Sequence, residues 1–491
     1  MVRINMSKHF AISGRYAEKH FAISDRYAEK YFAISDNCTI FAADSQIIRT
    51  MIFRRKLYNE MLRWKTEHNG QSALLIKGAR RVGKSTLVEE FARNEYKSYI
   101  LIDFSRASKQ VNALFEDMSD LDFFFLHLQT EMRVTLHRRN SVIIFDEVQR
   151  QPLARQAIKH LVKDGRYDYI ETGSLLSIKK NIKGIVIPSE ETRLTLHPMD
   201  FEEFLWAVGN DTTMQMLRQF YARKMALGLS HRQMMRDFRL YMLVGGMPQA
   251  VDEYLKVNNL QSVDRVKRNI LDLYEEDFRK IDPTGRASKL FAAIPGQLTS
   301  NASRFQVGSI DENQTPSRVA ELVADMEDSM TINMAYRVND PNVGMGLFKD
   351  FEHYKMFLAD TGLFVTLAFR DKSFTDNVIY NKLLSDKLEA NLGYVYENVV
   401  AQMLKTAGNE LFYYSFSDGN NHNYEVDFLL SRGNKISPIE VKSSGYKSHK
   451  SLDEFCDRFS SRIGNRYLVY TKDYQRDGQV ECLPVYMTSL L

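Results

Sequence analysis

A glycine-rich loop between a short apolar run and an amphipathic segment constrains the fold of this chain most strongly. The pattern G-x-x-x-x-G-K-S occupies residues 78–85, after the apolar run 72–76 and before apolar residues at positions 87, 88 and 91. The order strand, loop, helix lets backbone N–H groups and a helix N-terminus surround an anion. The sequence therefore predicts a site for a polyphosphate with Mg²⁺.

Individual positions of this loop have different roles in that prediction. Gly78 and Gly83 allow the backbone to wrap closely around phosphate groups. Lys84 is expected to reach the β- and γ-phosphates, and the Ser85 hydroxyl is expected to ligate Mg²⁺. The alternative is a glycine-bearing turn that binds nothing. The predicted nucleotide-binding residues are Gly78, Ala79, Arg80, Arg81, Val82, Gly83, Lys84, Ser85 and Thr86.

A second apolar run, residues 141–145, ends in the carboxylates Asp146 and Glu147. Successive apolar residues predict a strand buried on both faces, as in a parallel sheet, and ligands bind at the carboxyl ends of such strands. We expect Asp146 to hold Mg²⁺ and Glu147 to orient and deprotonate the attacking water, with Lys84 as the second catalytic residue. A solvated strand end is the alternative.

The two motifs resemble the Walker A and Walker B motifs of the AAA+ ATPases. The resemblance implies ATP and Mg²⁺ as ligands, ATP hydrolysis, a parallel sheet with a helical lid, and a homo-oligomer as a candidate assembly. The strand 167–172 is similar to the sensor-1 strand, with Ser174 as the candidate sensor of the γ-phosphate, although many members have Asn there. Arg193 is either an arginine finger or a surface arginine, and we assign it no role.

Composition narrows the protein class. The chain has 491 residues, which indicates more than one domain, and a formal net charge of +4, which does not by itself imply nucleic acid. Its three cysteines, Cys38, Cys456 and Cys482, are too scattered for a disulfide framework or a zinc site. No apolar run reaches the length of a membrane span. We expect a cytoplasmic protein without a membrane partner.

The first 50 residues contain a nearly perfect repeat of eleven residues. Residues 9–19 read HFAISGRYAEK and residues 20–30 read HFAISDRYAEK. Eleven residues match a helical hydrophobic repeat, so a short coiled segment is one interpretation, although two full copies are too few for a solenoid. The near-identity of the copies also indicates a recent tandem duplication in DNA that was not selected as protein. We therefore expect translation to begin at Met51 and residues 1–50 to be a gene-model artefact.

The remaining chain divides by its patterns into four regions. An ATPase core is predicted at 51–210, with Asp200 as the N-cap of a helix after Pro198. Helical, charged segments broken at residues 245–248 predict a helical lid. Further amphipathic segments are either a winged-helix-like element or a packing connector. The predicted boundaries are 51–210 for the core, 211–370 for the lid and winged-helix-like region, 371–387 for a linker and 388–491 for a C-terminal domain.

Three charged residues lie on a predicted hairpin near the C-terminus. Asp427 is in the strand 424–430, and Glu440 and Lys442 are two residues apart on the return strand, so they share one face. Two carboxylates and a lysine on one surface can hold Mg²⁺ and polarise a water against a phosphodiester. An ordinary cross-strand Glu–Lys pair is the alternative.

This segment resembles the PD-(D/E)xK nuclease fold, in an order of helix, strand, hairpin, helix and strand. The family's acidic pair maps onto Asp427 and Glu440, its lysine onto Lys442 and its helix glutamate onto Glu397. Asn423 and Tyr424 depart from the usual lead-in. Prokaryotic AAA+ proteins often join such a C-terminal domain, of unsettled function, to their ATPase module. The resemblance implies ATP hydrolysis that switches or drives a nuclease-like domain, with DNA as a candidate partner. The rival is a nucleotide-gated DNA-binding or scaffolding protein with an inert nuclease fold.

Overall fold

The computed structural model describes residues 51–173, 189–300, 303–310, 315–371, 380, 383–385, 393–417, 422–445 and 448–491. The eleven-residue repeat and Ser174, for which we predicted a gene-model artefact and a sensor role, lie outside these residues. The described chain is a mixed α/β structure with two sheets, and the predicted fold class, a parallel sheet followed by helices and a second α/β region, is confirmed.

The first sheet has five strands, all parallel, in the order β2-β3-β4-β1-β5. These strands are β1 (Ala73–Lys77), β2 (Ser98–Asp103), β3 (Ser141–Asp146), β4 (Asp168–Gly173) and β5 (Glu191–Thr195). The helices along this part of the chain are α1 (Leu57–His68), α2 (Lys84–Glu95), α3 (Lys109–Ala113), α4 (Leu121–Met132) and α5 (Pro152–Asp164).

Alternate residues of these strands point to different helices, which explains their continuous apolar character. Leu74 and Ile144 pack with residues of α1 and α2 on one face. Leu75 and Ile143 pack with residues of α4 and α5 on the other face. Because both faces are covered, every residue of β3 is buried, as the apolar run predicted. The carboxyl ends of β1 and β3 are therefore held at one edge of a rigid sheet.

A helical region follows β5. Asp200 and Glu203 form a capping box at the start of the first of these helices, which confirms Asp200 as an N-cap. The turn at residues 245–248 separates two helices, as its glycines and proline predicted. The helices of this region are α6 (Phe201–Ala207), α7 (Thr213–Arg223), α8 (Leu229–Val244), α9 (Pro248–Val257), α10 (Leu260–Ile281), α11 (Arg286–Thr299), α12 (Pro316–Asp328) and α13 (Thr361–Ala368).

The second sheet has eight strands in the order β12-β13-β11-β10-β9-β8-β6-β7. These strands are β6 (Ile332–Val338), β7 (Lys349–Leu358), β8 (Leu411–Ser417), β9 (Asn423–Arg432), β10 (Lys435–Val441), β11 (Arg466–Tyr470), β12 (Gln475–Asp477) and β13 (Val480–Pro484). Two more helices, α14 (Gly393–Thr406) and α15 (Lys450–Arg458), pack on it. The helix α14, the strand β8, the hairpin of β9 and β10, the helix α15 and the strand β11 follow one another in the order predicted from the sequence.

The region boundary before the C-terminal domain differs from the prediction. The strands β6 and β7 fall in the predicted winged-helix-like region, yet β6 pairs with β8 in parallel, with Ala335 opposite Leu411. Tyr380, in the predicted linker, is fully buried and donates a hydrogen bond to Asp264 at 2.7 Å. The physical reason is a shared core: buried residues of the helical region and of the second sheet form one continuous hydrophobic cluster.

Within the described ranges, no helix is both long enough and apolar enough to cross a membrane.

Candidate functional site

The phosphate-binding loop runs from the end of β1 into α2, as its sequence predicted. Gly83 has a φ of 95°, a conformation that side chains rarely adopt. A Cβ at Gly78 would lie 2.3 Å from the Leu196 carbonyl oxygen, so only glycine fits there. Within the loop Val82 is buried, whereas Arg81 and Thr86 are exposed. The two glycines of the motif are therefore required by the backbone of this loop.

Lys84 lies inside the loop. Its ammonium donates to the carbonyl oxygens of Gly78 and Ala79, each at 3.0 Å, and the residue is only 7% exposed. Burial lowers its pKa, while the charges of Glu147 and Asp146 oppose that change. A buried ammonium whose hydrogen-bond partners are neutral carbonyls is well suited to an anionic ligand.

The carboxyl end of β3 places Asp146 beside the loop. Ser85 Oγ donates a hydrogen bond to Asp146 Oδ1 at 2.9 Å, and the Thr172 hydroxyl at the end of β4 also contacts this oxygen. Hydroxyl and carboxylate oxygens are the ligands that Mg²⁺ prefers. The donor set predicted from the sequence, Ser85 and Asp146, therefore fits Mg²⁺, and Thr172 is a neighbour that the sequence motifs did not indicate.

Glu147 follows β3 in a left-handed backbone conformation, with a φ of 55°. Gln149 Nε2 donates to Glu147 Oε2 at 2.6 Å, which fixes the direction of the carboxylate. Arg193, on the edge strand β5, is about half-exposed and pairs with Glu191 at 2.7 Å. The position of Arg193 therefore gives no reason to assign it a role at the nucleotide site.

The loop also contacts the helical region. Arg80 Nη1 lies 3.0 and 3.1 Å from the two carboxylate oxygens of Asp277 on α10. The Tyr274 hydroxyl, on the same helix, donates to the Arg80 carbonyl oxygen at 3.1 Å. On another side, Arg55 Nη1 donates to the Val82 carbonyl oxygen at 3.1 Å. Sequence reasoning missed these contacts because the partners are far apart in the chain.

A polar cleft of about 820 Å³ opens on the second sheet. All four residues of the predicted nuclease-like site line it: Glu397 on α14, Asp427 on β9, and Glu440 and Lys442 at the end of β10. Ile439 lies opposite Phe428 in the antiparallel pair, so the next step along the strands brings Glu440 beside Asp427. The structure thus brings these residues into one cleft, while their roles stay predictions.

Within the cleft the predicted residues contact one another. Lys442 Nζ lies 2.6 Å from Glu440 Oε1, and Asp427 Oδ2 accepts a hydrogen bond from the Val441 N–H at 2.7 Å. Burial raises the pKa of Glu397 to about 8, and the charge of Asp427 adds to that rise. In the part of the chain that the structure describes, no three acidic, histidine or cysteine side chains converge closely enough to hold a metal ion.

The cleft contains a second lysine–glutamate pair that sequence reasoning missed. Lys355 on β7 contacts Glu425 Oε1, and its ammonium is 4.0 Å from Glu397 Oε2. Burial lowers the pKa of Lys355, but the charges of Glu425 and Glu397 outweigh burial and raise it overall. The alternation of strand residues could have indicated Glu425, which shares a face with Asp427. Nothing local to Lys355 indicates its place.

Comparisons with known proteins divide the chain into three segments. Residues 70–205 match the model of a family described as AAA domain. Residues 235–373 match a domain of unknown function, DUF8612, and residues 392–487 match another, DUF4143. No curated protein matches this chain.

Several solved structures resemble the chain loosely. The ORC1 protein of Aeropyrum pernix, solved in complex with DNA, is 12% identical over 69% of this chain and 93% of that chain, with a TM-score of 0.28. The RuvB Holliday junction branch migration motor of Thermotoga maritima is 13% identical over 55% and 82%, with a TM-score of 0.27. Cdc6p of Pyrobaculum aerophilum is 11% identical over 68% and 94%, with a TM-score of 0.24. We assign no role or activity to this chain from these similarities.

The family match covers the five-stranded sheet, the phosphate-binding loop and the carboxyl end of β3. Together they support an ATP-binding core with the AAA+ P-loop fold in this part of the chain. The C-terminal match carries no assigned activity, so the resemblance of residues 388–491 to a nuclease stays a prediction.

Proposed function

We propose that this protein binds ATP with Mg²⁺ at the phosphate-binding loop and hydrolyses it. The observation that carries the proposal is the buried ammonium of Lys84, surrounded by loop carbonyls beside two carboxylates. In this proposal Lys84 neutralises the β- and γ-phosphates, while Ser85 and Asp146 hold Mg²⁺. The metal neutralises charge that develops on the phosphate oxygens.

Glu147 is the proposed base for the attacking water. It follows the strand that carries Asp146, and Gln149 fixes its carboxylate through a hydrogen bond of 2.6 Å. Phosphoryl transfer depends mainly on positioning and charge neutralisation, so one oriented carboxylate suffices to direct a water at the γ-phosphate. Replacing Glu147 by Gln keeps the size of the side chain and removes the base, so the variant retains bound ATP.

We further propose that the nucleotide state controls the C-terminal cleft. Met199, just after the end of β5, accepts a hydrogen bond from the Tyr241 hydroxyl at 3.0 Å. Gln402 of α14 donates to the same hydroxyl at 2.9 Å, and α14 also carries Glu397 of the cleft. All of these groups are buried, so a displacement at the edge of the first sheet disturbs hydrogen bonds that position α14.

The cleft chemistry that we propose is Mg²⁺-dependent hydrolysis of a phosphodiester in DNA. Asp427, Glu440 and Lys442 supply the carboxylates and the cation, and Glu397 lines the same cleft. The second candidate is ATP-gated DNA binding or scaffolding without cleavage. Two observations favour that candidate: Glu440 is already paired with Lys442, and no ligand set of three converges among the described residues.

Plasmid and linear DNA incubated with Mg²⁺ or Mn²⁺, with and without ATP, separate the two candidates. A nuclease predicts cleavage that falls about 100-fold or more in Asp427→Ala and in Lys442→Ala. Asp457→Ala is the matched control, because Asp457 is an exposed carboxylate on α15 outside the cleft. DNA binding without cleavage supports the second candidate. Cleavage that persists in Asp427→Ala contradicts the nuclease proposal.

A further inference from the structure

Lys355 is a buried cation placed among the carboxylates of the cleft. Its side chain is 8% exposed, it contacts Glu425, and its ammonium lies 4.0 Å from Glu397 Oε2. The residue comes from β7, far along the chain from the nuclease-like motif, and nothing in that motif requires it. Its place in the cleft therefore needs its own explanation.

The charges of the cleft are nearly balanced by protein groups. The acidic side chains that line it are Glu397, Glu425, Asp427 and Glu440, and the cationic ones are Arg337, Lys355 and Lys442. Each lysine is paired with a glutamate, Lys442 with Glu440 and Lys355 with Glu425. A divalent cation entering this cluster would meet ammonium groups close to its ligands.

Two carboxylate oxygens of the cleft nevertheless have no partner among the described residues. Glu440 Oε2 and Glu425 Oε2 are both buried and make no hydrogen bond there, and the Glu440 side chain is only 7% exposed. A buried carboxylate oxygen without a donor is costly unless a ligand satisfies it. Both glutamates are among the residues that line the cleft.

We infer that the Lys355 ammonium competes with a divalent cation for Glu425 and Glu397, so that the cleft binds Mg²⁺ or Mn²⁺ only weakly while Lys355 is in place. The inference rests on the proposed function, in which the cleft is a metal-dependent site. A lysine ammonium and a divalent cation both bind carboxylate oxygens, so they exclude each other from the same oxygens. Removing the Lys355 ammonium leaves the carboxylates without a counter-ion, and a bound metal ion then takes that place.

Mn²⁺ binding measured by electron paramagnetic resonance tests this competition without any need for cleavage. The parent protein carries Asp146→Asn, which weakens metal binding at the loop, and the titration contains Mn²⁺ without nucleotide. We expect Lys355→Met to bind Mn²⁺ at least tenfold more tightly than the parent. Lys355→Arg keeps the charge and should match the parent. Lys349→Met is the control, because Lys349 lies on the same strand, stacked on Tyr336 at 3.6 Å outside the cleft.

A further variant keeps the inference testable if Lys355→Met does not fold. Glu425→Gln retains the ammonium and removes one carboxylate, and we expect it to weaken Mn²⁺ binding at least threefold. Unchanged or tighter binding in that variant would overturn the inference. Equal affinities of the parent and Lys355→Met, or a gain in Lys355→Arg as large as in Lys355→Met, would overturn it as well.

The same titration separates this inference from the proposed function. Tight Mn²⁺ binding by the parent that disappears with Asp427→Asn makes the cleft a metal site but overturns the role of Lys355. Tighter binding in Lys355→Met that disappears with Asp427→Asn supports the inference, even if the protein cleaves no DNA. Absence of Mn²⁺ binding in every variant overturns both the competition and the proposed metal site.

Discussion

The candidate nucleotide site comes mostly from one loop and the ends of two neighbouring strands, whereas the charged residues that line the C-terminal cleft come from β6, β7, β9, the end of β10 and α14. In the loop, Lys84 and Ser85 lie within two residues of Gly83, one of the glycines that shape it. In the cleft, Lys355 and Glu425 are 70 residues apart. The difference teaches that the first site depends on a few individual residues, and the second on how the sheet is assembled.

The largest expected effect is loss of ATP binding in Lys84→Ala. The ammonium is the buried cation that would meet the phosphates, and truncating one partner of a buried charged pair weakens binding by about 100-fold or more. We expect little change in unfolding temperature, because the Lys84 ammonium bonds only to carbonyls of its own loop. Calorimetric titration with ATP measures the affinity. Lys97→Ala, at an exposed lysine of the same core, is the control and should bind as the wild type does.

Glu147→Gln should lower the rate of ATP hydrolysis by about 100-fold while ATP binding persists. The reason is that the amide keeps the hydrogen-bonding position next to Gln149 but accepts no proton. Steady-state hydrolysis and a binding titration on the same preparation check the two parts. Fast hydrolysis by this variant contradicts the role of Glu147 and would leave the first site without an assigned base.

The stability of the folded protein should depend on pH through His197, which lies just after β5. Burial lowers the pKa of His197 from 6.5 to about 4, and the charges of Lys405, Arg55 and Lys77 add to that effect. The unfolded chain takes up a proton below about pH 6.5 and the folded chain does not. The neutral His197 imidazole therefore makes its full contribution to the free energy of unfolding above about pH 6.5. That contribution is lost as the pH falls towards 4, which lowers the free energy of unfolding by up to about 3 kcal/mol.

Urea unfolding of the wild type and of His197→Gln, at pH 7.5 and at pH 4.5, measures the contribution of His197 to the free energy of unfolding. The difference in unfolding free energy between the two proteins should change with pH, in favour of the variant at low pH. An equal loss of stability in both proteins would contradict a contribution of His197 protonation to the pH dependence of unfolding.

A smaller effect is expected for Gly246→Ala, where the helical region meets the first sheet. A Cβ at Gly246 would lie 2.0 Å from the Met199 carbonyl oxygen. Overpacking of this kind destabilises by about 2 to 3 kcal/mol. Gly296→Ala is the matched control: a Cβ there has open space inside α11, and the change should stabilise by about 0.5 kcal/mol. Denaturant midpoints that match for the two variants would show that this contact is not tight.

Sequence reasoning predicted the first region better because its signals are local. The apolar runs of β1, β3 and β4, the glycines of the loop and the capping residue Asp200 all act within about ten residues. The hairpin of β9 and β10 was predicted for the same reason, because both of its strands lie within residues 424–442.

The second region was predicted only in part because its assembly is not local. The strands β6 and β7 join the sheet through a pairing with β8, more than 70 residues later, and no pattern in 332–358 identifies that partner. The polar composition of 371–387 predicted a linker. Tyr380 in this segment is nevertheless buried, because its hydroxyl forms hydrogen bonds with Lys267 and Asp264. Lys355 was not predicted because the carboxylates that it contacts, Glu425 and Glu397, lie far from it in the sequence.

Hydrogen–deuterium exchange followed by mass spectrometry tests most directly whether ATP at the first site controls the cleft. Glu147→Gln, with and without Mg²⁺ and ATP, is compared with Lys84→Ala under the same conditions. We predict slower exchange in 393–406 and 423–441, as well as in the loop, when ATP binds to Glu147→Gln, and no change in Lys84→Ala. Changes confined to 70–205 would contradict control of the cleft by ATP.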